Sequence, residues 1–455
     1  MKRNLLFIGL GPHAQAVQYR FLDGLRRQGT PLRIRALVEL EDRQADVEQF
    51  LQDKRLQPDN LISLPVADRN SPEIHPKLLA FLEKIKHTVD GVLICTEPKA
   101  HKKYILWALQ NNIDVLADKP LTAPLVNEQG PSQVERDFAD IEAALSASTA
   151  RLCLMTNKRV HAAYQAVYQQ LREFVTEYNV PLTHAELLDG GGMWNFPLEF
   201  ETRENHPYKY GYGILLHTGF HYVDLLLHYQ SVNHLIGFQE DEIKVHAFGV
   251  TPFDAVYQFP QRYYEKLFPK ENFGEEFAAL PVEKYKTYGI TDLVSSLQFL
   301  KEGRVVTQSS LSLLQHTLSA RAWRPLPDNL YLKNGRLTQN QIHLFCGPLL
   351  DVRLTYCQPD TLAKDETDTY ILEVQRNTAL VGGKSYVREE FTDRTPLFIG
   401  TLGSLNLSAK FNILGSWVTD TCAETDVLLS KRTAGVVSRL FEEVFARRSE
   451  RFGTK

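Results

Sequence analysis

From Leu5 to Thr156 the chain repeats one pattern. A short apolar run is followed by a longer stretch whose apolar residues recur at helical spacing. The runs Leu5–Gly9, Arg33–Glu39, Leu61–Leu64, Val92–Cys95, Ile113–Ala117 and Leu152–Thr156 mostly lack the polar alternation of a half-solvated strand. They predict strands covered on both faces. Between them, Ala14–Arg27, Gln44–Lys54, Lys77–Lys86, Lys99–Gln110 and Gln133–Ala147 read as amphipathic helices. Strands separated by helices are joined by parallel crossovers, so residues 1–156 predict an α/β domain with a doubly wound parallel sheet.

Beyond residue 157 the pattern changes. Two long helices are predicted at Val160–Tyr178 and Tyr212–Tyr229. Strand-like segments then dominate: Thr183–Leu188, Ile243–Phe248, Val294–Leu300, Val305–Leu314, Leu330–Leu332, Ile342–Phe345 and Val352–Tyr356. Asn334-Gly335 is a hairpin signal. Residues 157–455 therefore predict an α+β domain with an open, mostly antiparallel sheet. Residues 252–289, rich in Tyr, Phe and Pro without a clear period, predict a lid or an interface insert. A helix over Thr421–Arg447 closes the chain.

Composition narrows the picture. A chain of 455 residues is too long for one ordinary core, so two domains are expected. A net charge of −4 argues against a nucleic-acid-binding surface spread over the whole chain. The basic stretch Arg447-Arg448-Ser449-Glu450-Arg451 reads as a solvated helix end. Five cysteines without CxxC spacing imply a reducing, cytoplasmic setting and no structural zinc. The segment Leu5–Ala16 imitates an export signal, but a first strand running into a turn explains its glycines and proline better. No apolar run reaches the ~18 residues of a membrane span.

The first turn carries the first chemistry. Gly9-Leu10-Gly11-Pro12-His13-Ala14 follows a strand and opens a helix. Gly9 permits the turn, Gly11 lets the backbone approach a pyrophosphate, and Ala14 permits close helix–strand packing. This is a dinucleotide fingerprint, so the first domain is expected to be of Rossmann type. Glu39 ends the second strand, where a carboxylate accepts ribose hydroxyls and repels a 2′-phosphate. NAD is favoured over NADP on that ground, with Arg43 close by to soften the preference. Thr96, Pro98 and His101 follow the fourth strand and border the cofactor cleft. Asp118-Lys119-Pro120 follows the fifth strand. There the proline fixes the corner from which Lys119 projects. A lysine in that place stands beside the nicotinamide and can move a proton. His217 and His221, four apart near the start of a helix, share a face, and Asp224 stands three residues beyond. The pair also suits zinc by spacing. It lacks the glutamate of an HExxH motif and a third soft ligand, so no metal is expected.

In this order, GxGxxA, Thr96-x-Pro98-x-x-His101, Lys119-Pro120 and Gly219-Phe220-His221-x-x-Asp224 resemble the Gfo/Idh/MocA oxidoreductase family. The resemblance is specific over residues 4–160, moderate over 205–320 and faint after 330. It implies a Rossmann domain joined to an open α/β sheet domain. It also implies a substrate bound between the two and homo-oligomers formed through the C-terminal sheet. By position, Lys119 and His221 carry over as members of a proton relay. Asn157, Arg159 and Tyr164 match the region that borders the substrate. Two departures stand out. Asp118 replaces the usual glutamate and keeps its charge. His217 stands where the family places an acid, so an imidazole replaces an anion beside His221.

The expected activity is hydride transfer between NAD(P) and a secondary alcohol or ketone of a sugar, cyclitol or related polyhydroxy compound. Two rivals stay open. One is an NAD-assisted enzyme without net redox, cleaving a glycoside or epimerising a sugar. The other is a non-catalytic dinucleotide-binding sensor or regulatory protein, which the His217 substitution keeps in view.

Overall fold

The computed structural model describes residues 3–123, 130–203, 207–268, 282–321, 335–358, 368–421 and 430–452. It divides into two compact units. The first comprises Met1–Pro124, Val134–Val160 and Thr395–Ala434; the second comprises Leu125–Gln133, His161–Arg394 and Gly435–Lys455.

The first unit holds a six-stranded sheet. Its strands are β1 (Asn4–Ile8), β2 (Arg33–Leu40), β3 (Leu61–Leu64), β4 (Gly91–Ile94), β5 (Asp114–Ala117) and β6 (Leu152–Leu154). Every pairing is parallel, and the spatial order is β3-β2-β1-β4-β5-β6. That is the doubly wound order, with the chain reversing direction across the sheet between β1 and β4. β1 and β4 are almost wholly buried, as uninterrupted apolar runs require. Each predicted strand and helix of this region forms within a few residues of its expected bounds.

The division differs from a single boundary at residue 156. The chain leaves the first unit near Val160 and returns to it at Thr395. The returning helix, Leu405–Val418, has one charged residue, Lys410. It brings Phe411, Ile413, Leu414 and Trp417 into a core with Tyr19, Phe21 and Leu22. Trp417 is fully buried there. Burying such a surface is worth several kcal/mol, by roughly 1.5–3 kcal/mol for each large apolar side chain.

The second unit is built on an eight-stranded sheet. It adds β7 (His184–Gly190), β8 (Glu242–Val250), β9 (Asp292–Lys301), β10 (Arg304–Leu314), β11 (Gln339–Cys346), β12 (Leu350–Cys357), β13 (Thr369–Arg376) and β14 (Tyr386–Thr392). The order is β14-β13-β12-β11-β7-β10-β9-β8, and only β7 and β10 run parallel. Burial alternates along β9 and β12, so one face is covered and the other solvated. The helices Ala162–Tyr178 and Phe220–Gln230 pack on the covered face.

β13, β14 and the helix Leu405–Val418 were not expected from the sequence pattern. Helices Pro252–Gln258 and Gln261–Leu267 occupy part of the segment expected to be a lid or interface insert. The closing helix is described over Lys431–Phe452, and residues 422–429 of its expected span lie outside the described residues. The expected strand Leu330–Leu332 and the Asn334 half of the hairpin signal lie outside the described residues. Among the described residues, no helix is long and apolar enough to cross a membrane.

Candidate active site

The glycine turn is fixed from two sides. Gly9 has φ +84°, where a side chain is strained, and a Cβ there would lie 2.7 Å from Thr96 Cγ2 and 2.9 Å from Thr96 N. The Thr96 loop therefore packs directly on Gly9. From the other side, Glu39 Oε2 accepts from Leu10 N at 2.7 Å, and Oε1 accepts from Leu40 N at 2.9 Å. Glu39 thus anchors the turn, a role its position in the sequence does not suggest. A carboxylate offers about four acceptor positions, so two remain for ribose hydroxyls. Arg43 lies on the next turn, held 3.4 Å from Asp46.

These residues suit a dinucleotide. The space where a Cβ of Gly11 would stand has no atom within 4 Å. Pro12 opens a helical run that continues through a π-helical turn, Gln15–Tyr19, to Arg27. The turn thus presents open backbone at a helix N-terminus, which is what a pyrophosphate needs. Ala14 is buried against the sheet.

His13, Asp118, Lys119 and Lys410 share one charged cluster beside this turn. His13 Nε2 lies 3.9 Å from Asp118 Oδ2, and Lys119 N donates to Asp118 Oδ1 at 2.8 Å. Burial, and then Lys410 and Lys119, push the His13 imidazole down from its ordinary 6.5 to about 4, against the pull of Asp118. Burial alone would raise the Asp118 carboxyl. His13, Lys119, Lys410 and the Lys119 N–H bond outweigh it and hold it below the ordinary carboxylate value. The cluster thus sets two lysines against one carboxylate, an excess of basic side chains that favours an anion. Lys410 was missed by sequence reasoning. Its signal was a lone charge in an otherwise uncharged helical segment.

Lys119 is half-buried at the carboxyl end of β5, and the Lys119–Pro120 peptide is cis. His101 is fully buried: Nδ1 lies 3.1 Å from Pro120 O, and Nε2 lies 2.9 Å from Thr96 O. Burial lowers its pKa despite the two carbonyls. His101 therefore ties the β4 and β5 end loops together. Both ring nitrogens face backbone carbonyls, and the neutral ring donates to one of them. Pro98 is buried in the same loop.

Asn157 and Arg159 belong to the first unit and Tyr164 to the second. Asn157 and Arg159 are buried in the turn Asn157–Val160 of the first unit, where Asn157 Nδ2 donates to Asn406 Oδ1 of the returning helix. Tyr164 belongs to the second unit and is 1% exposed. Its hydroxyl donates to Asn340 Oδ1 at 3.2 Å, and Asn340 in turn donates to Asp189 at 2.8 Å. Tyr164 thus belongs to a buried hydrogen-bond network with Asn340 and Asp189.

His217 and His221 lie on consecutive turns of the second unit. His217 is in a π-helical turn, Leu215–Gly219, and His221 opens the α-helix Phe220–Gln230. Such π turns recur at functional positions. Gly219 is required there: a Cβ would lie 2.5 Å from Leu313 Cδ1 on β10. His217 and Asp224 are buried, while His221 is partly exposed.

Residues 5–136 match the model of the Gfo/Idh/MocA oxidoreductase family with an NAD-binding Rossmann fold. Over that stretch the chain is similar to Gfo/Idh/MocA-type domains. No curated protein matches the chain by sequence. Solved structures share the fold over nearly the whole length. An oxidoreductase from Agrobacterium radiobacter, in complex with NAD+, L-tartaric acid and magnesium, is 12% identical with a TM-score of 0.56. The alignment covers 98% of this chain and 97% of that one. An aldose-aldose oxidoreductase from Caulobacter crescentus is 13% identical with a TM-score of 0.56, covering 98% of each chain. A 3-ketoreductase from Actinomadura kijaniata, in complex with NADP and TDP-benzene, is 12% identical with a TM-score of 0.54, again covering 98% of each. At these identities the likeness establishes a common fold.

Proposed function

We propose that this Gfo/Idh/MocA-type protein catalyses hydride transfer between a nicotinamide cofactor and a secondary alcohol or ketone of a sugar, cyclitol or related polyhydroxy compound. The observation that carries the reading is Lys119. It stands at the carboxyl end of β5, in a cationic cluster beside a dinucleotide turn that matches an NAD-binding family. When bound, the dinucleotide supplies or accepts the hydride. Gly9 and Gly11 shape the turn that receives it, and Glu39 offers its remaining acceptors to the ribose. Lys119 donates a hydrogen bond to the substrate oxygen. His221 takes the hydroxyl proton in oxidation and returns it in reduction, with His217 as its neighbour. NAD is the favoured cofactor because of Glu39. Self-association through the solvated face of the second sheet is part of the same reading.

A titration with NADH and NADPH, followed by a turnover screen on polyols and sugars, tests it. Lys119→Ala and His221→Ala each should lower kcat by ~10²–10⁴-fold with folding intact. Near wild-type turnover in both variants would remove their assigned roles. One feature favours a second reading: the imidazole of His217 where the family resemblance places an acid. A protein that binds the cofactor, turns over nothing and retains a stoichiometric partner would be a sensor.

A further inference from the structure

The eight-stranded sheet ends in two unlike edges. At one, the closing helix lies against β8: Arg439 Nη1 donates to Ile243 O at 2.9 Å, and the Arg447 guanidinium sits over the Phe248 ring. At the other, β14 is exposed at every residue except the partly buried Phe391. Its pairing with β13 runs from Thr369–Thr392 to Gln375–Tyr386 without a bulge. Just beyond its two ends, Arg376 N donates to Ser385 O at 3.1 Å and Asp393 N donates to Asp368 O at 2.7 Å. Peptide groups alternate in direction along an antiparallel strand. Val387, Glu389 and Phe391 are in phase with Ser385 and Asp393, so theirs turn inward to β13. Those of Tyr386, Arg388 and Glu390 turn outward, and among the described residues they have no backbone partner. Such a row is a template for another strand.

Exposed edges are commonly blunted by a proline, a bulge or a lysine, and β14 has none of these. It carries Arg388, Glu389 and Glu390, whose order suits a reversed copy of itself. Consider a second β14 laid antiparallel about a two-fold axis at Glu389, perpendicular to the sheet. Arg388 then faces Glu390 of the second copy, and Glu390 faces its Arg388. Arg388 also pairs with Glu390 of its own strand, so the four charges form one network. Tyr386 faces Thr392, and Val387, 39% exposed, is covered by Phe391. The charge pairs fall on residues whose peptide groups turn outward, so charge pattern and hydrogen-bond phase select one register. Moving the axis by one residue sets Arg388 or Glu390 against itself and keeps neither charge pair. One contact opposes the arrangement: Glu389 meets its own copy, and like charges directly opposite are destabilising.

We propose that β14 is an association edge, pairing antiparallel with β14 of a second copy and continuing the sheet across both. This edge is separate from the solvated face invoked above, and it does not depend on the activity. A pair of seven-residue strands is smaller than a standard interface of roughly 1,200–2,000 Å², so the association should dissolve on dilution. Sedimentation velocity from about 200 to about 2 μM reads it. Wild type should show a concentration-dependent step. Arg388→Pro removes an outward N–H and no bond of the β13 ladder, so it should abolish the step and keep the melting temperature. Arg388→Glu should weaken the step by about tenfold. Adding Glu390→Arg to it should restore the step, and Glu389→Gln alone should tighten it. A step that persists unchanged in Arg388→Pro overturns the proposal. So does the lack of any step in both wild type and Glu389→Gln, or a double variant as weak as Arg388→Glu. Should Arg388→Pro melt early, the charge exchange decides alone. An assembly indifferent to every variant overturns the edge and leaves association through the face standing.

Discussion

Replacing Glu39 separates two roles that one carboxylate performs. Its Oε2 satisfies the N–H of Leu10, a residue with no exposure, and its Oε1 satisfies the half-exposed Leu40 N–H. Glu39→Ala leaves the first donor buried and unpaired, at about 1–3 kcal/mol, and removes the second bond at about 1 kcal/mol. The sum, about 2–4 kcal/mol, lowers the melting temperature of the first unit by roughly 4–16 °C for a unit of this size. Glu39→Gln keeps an acceptor for one of the two N–H groups, so it should lose about half as much. Both variants remove the negative charge that opposes a 2′-phosphate. The ratio of NADPH to NADH affinity should therefore rise in both, by about tenfold for a lost charge repulsion of ~1.4 kcal/mol. Differential scanning fluorimetry reads the anchor, and parallel NADH and NADPH titrations read the charge. A Glu39→Ala protein that melts with wild type refutes the anchor. An unchanged cofactor ratio in both variants refutes the argument for NAD.

The other expectations need fewer steps. Trp417→Ala should destabilise the first unit by about 3–5 kcal/mol, the cost of emptying a buried indole site. Chemical denaturation checks this, and a loss below about 1 kcal/mol would mean the returning helix is dispensable to that core. For His13, the folded state holds fewer protons than the unfolded one between pH 4 and 6.5. Its contribution to stability is then complete above pH 6.5 and declines as the pH falls toward 4. The His13 imidazole resonances should titrate near pH 4, and His13→Gln should flatten the acid limb of the stability profile. A midpoint near 6.5 would contradict the burial and the lysine neighbours. The Lys119 and His221 variants complete the set.

The parts of the fold that were legible share a cause. β1, β4 and β5 are short, largely apolar runs buried on both faces, and the helices between the strands carry one clean period, so local pattern and tertiary role agree. β14 failed that test because it is an edge strand with nearly every residue exposed, and Tyr-Val-Arg-Glu-Glu-Phe-Thr has no buried face to announce. The helix Leu405–Val418 is apolar on several sides and was not recognised as a helix. Its partners, Tyr19 and Phe21, lie nearly four hundred residues away, and no local period can report such a contact.

The site divides along the same line. The places of Gly9, Gly11 and Lys119 at strand ends and turns were legible because those positions demand particular residues at particular spacing. For His101 and Tyr164 the sequence position picked out the side chains but not the protein groups they meet, two backbone carbonyls and Asn340. Lys410 was not found at all. It reaches Asp118 only because its helix returns to the first unit nearly three hundred residues later, a contact that no local pattern reports. On the proposed reading, exchanging Lys119 should change how fast any substrate reacts.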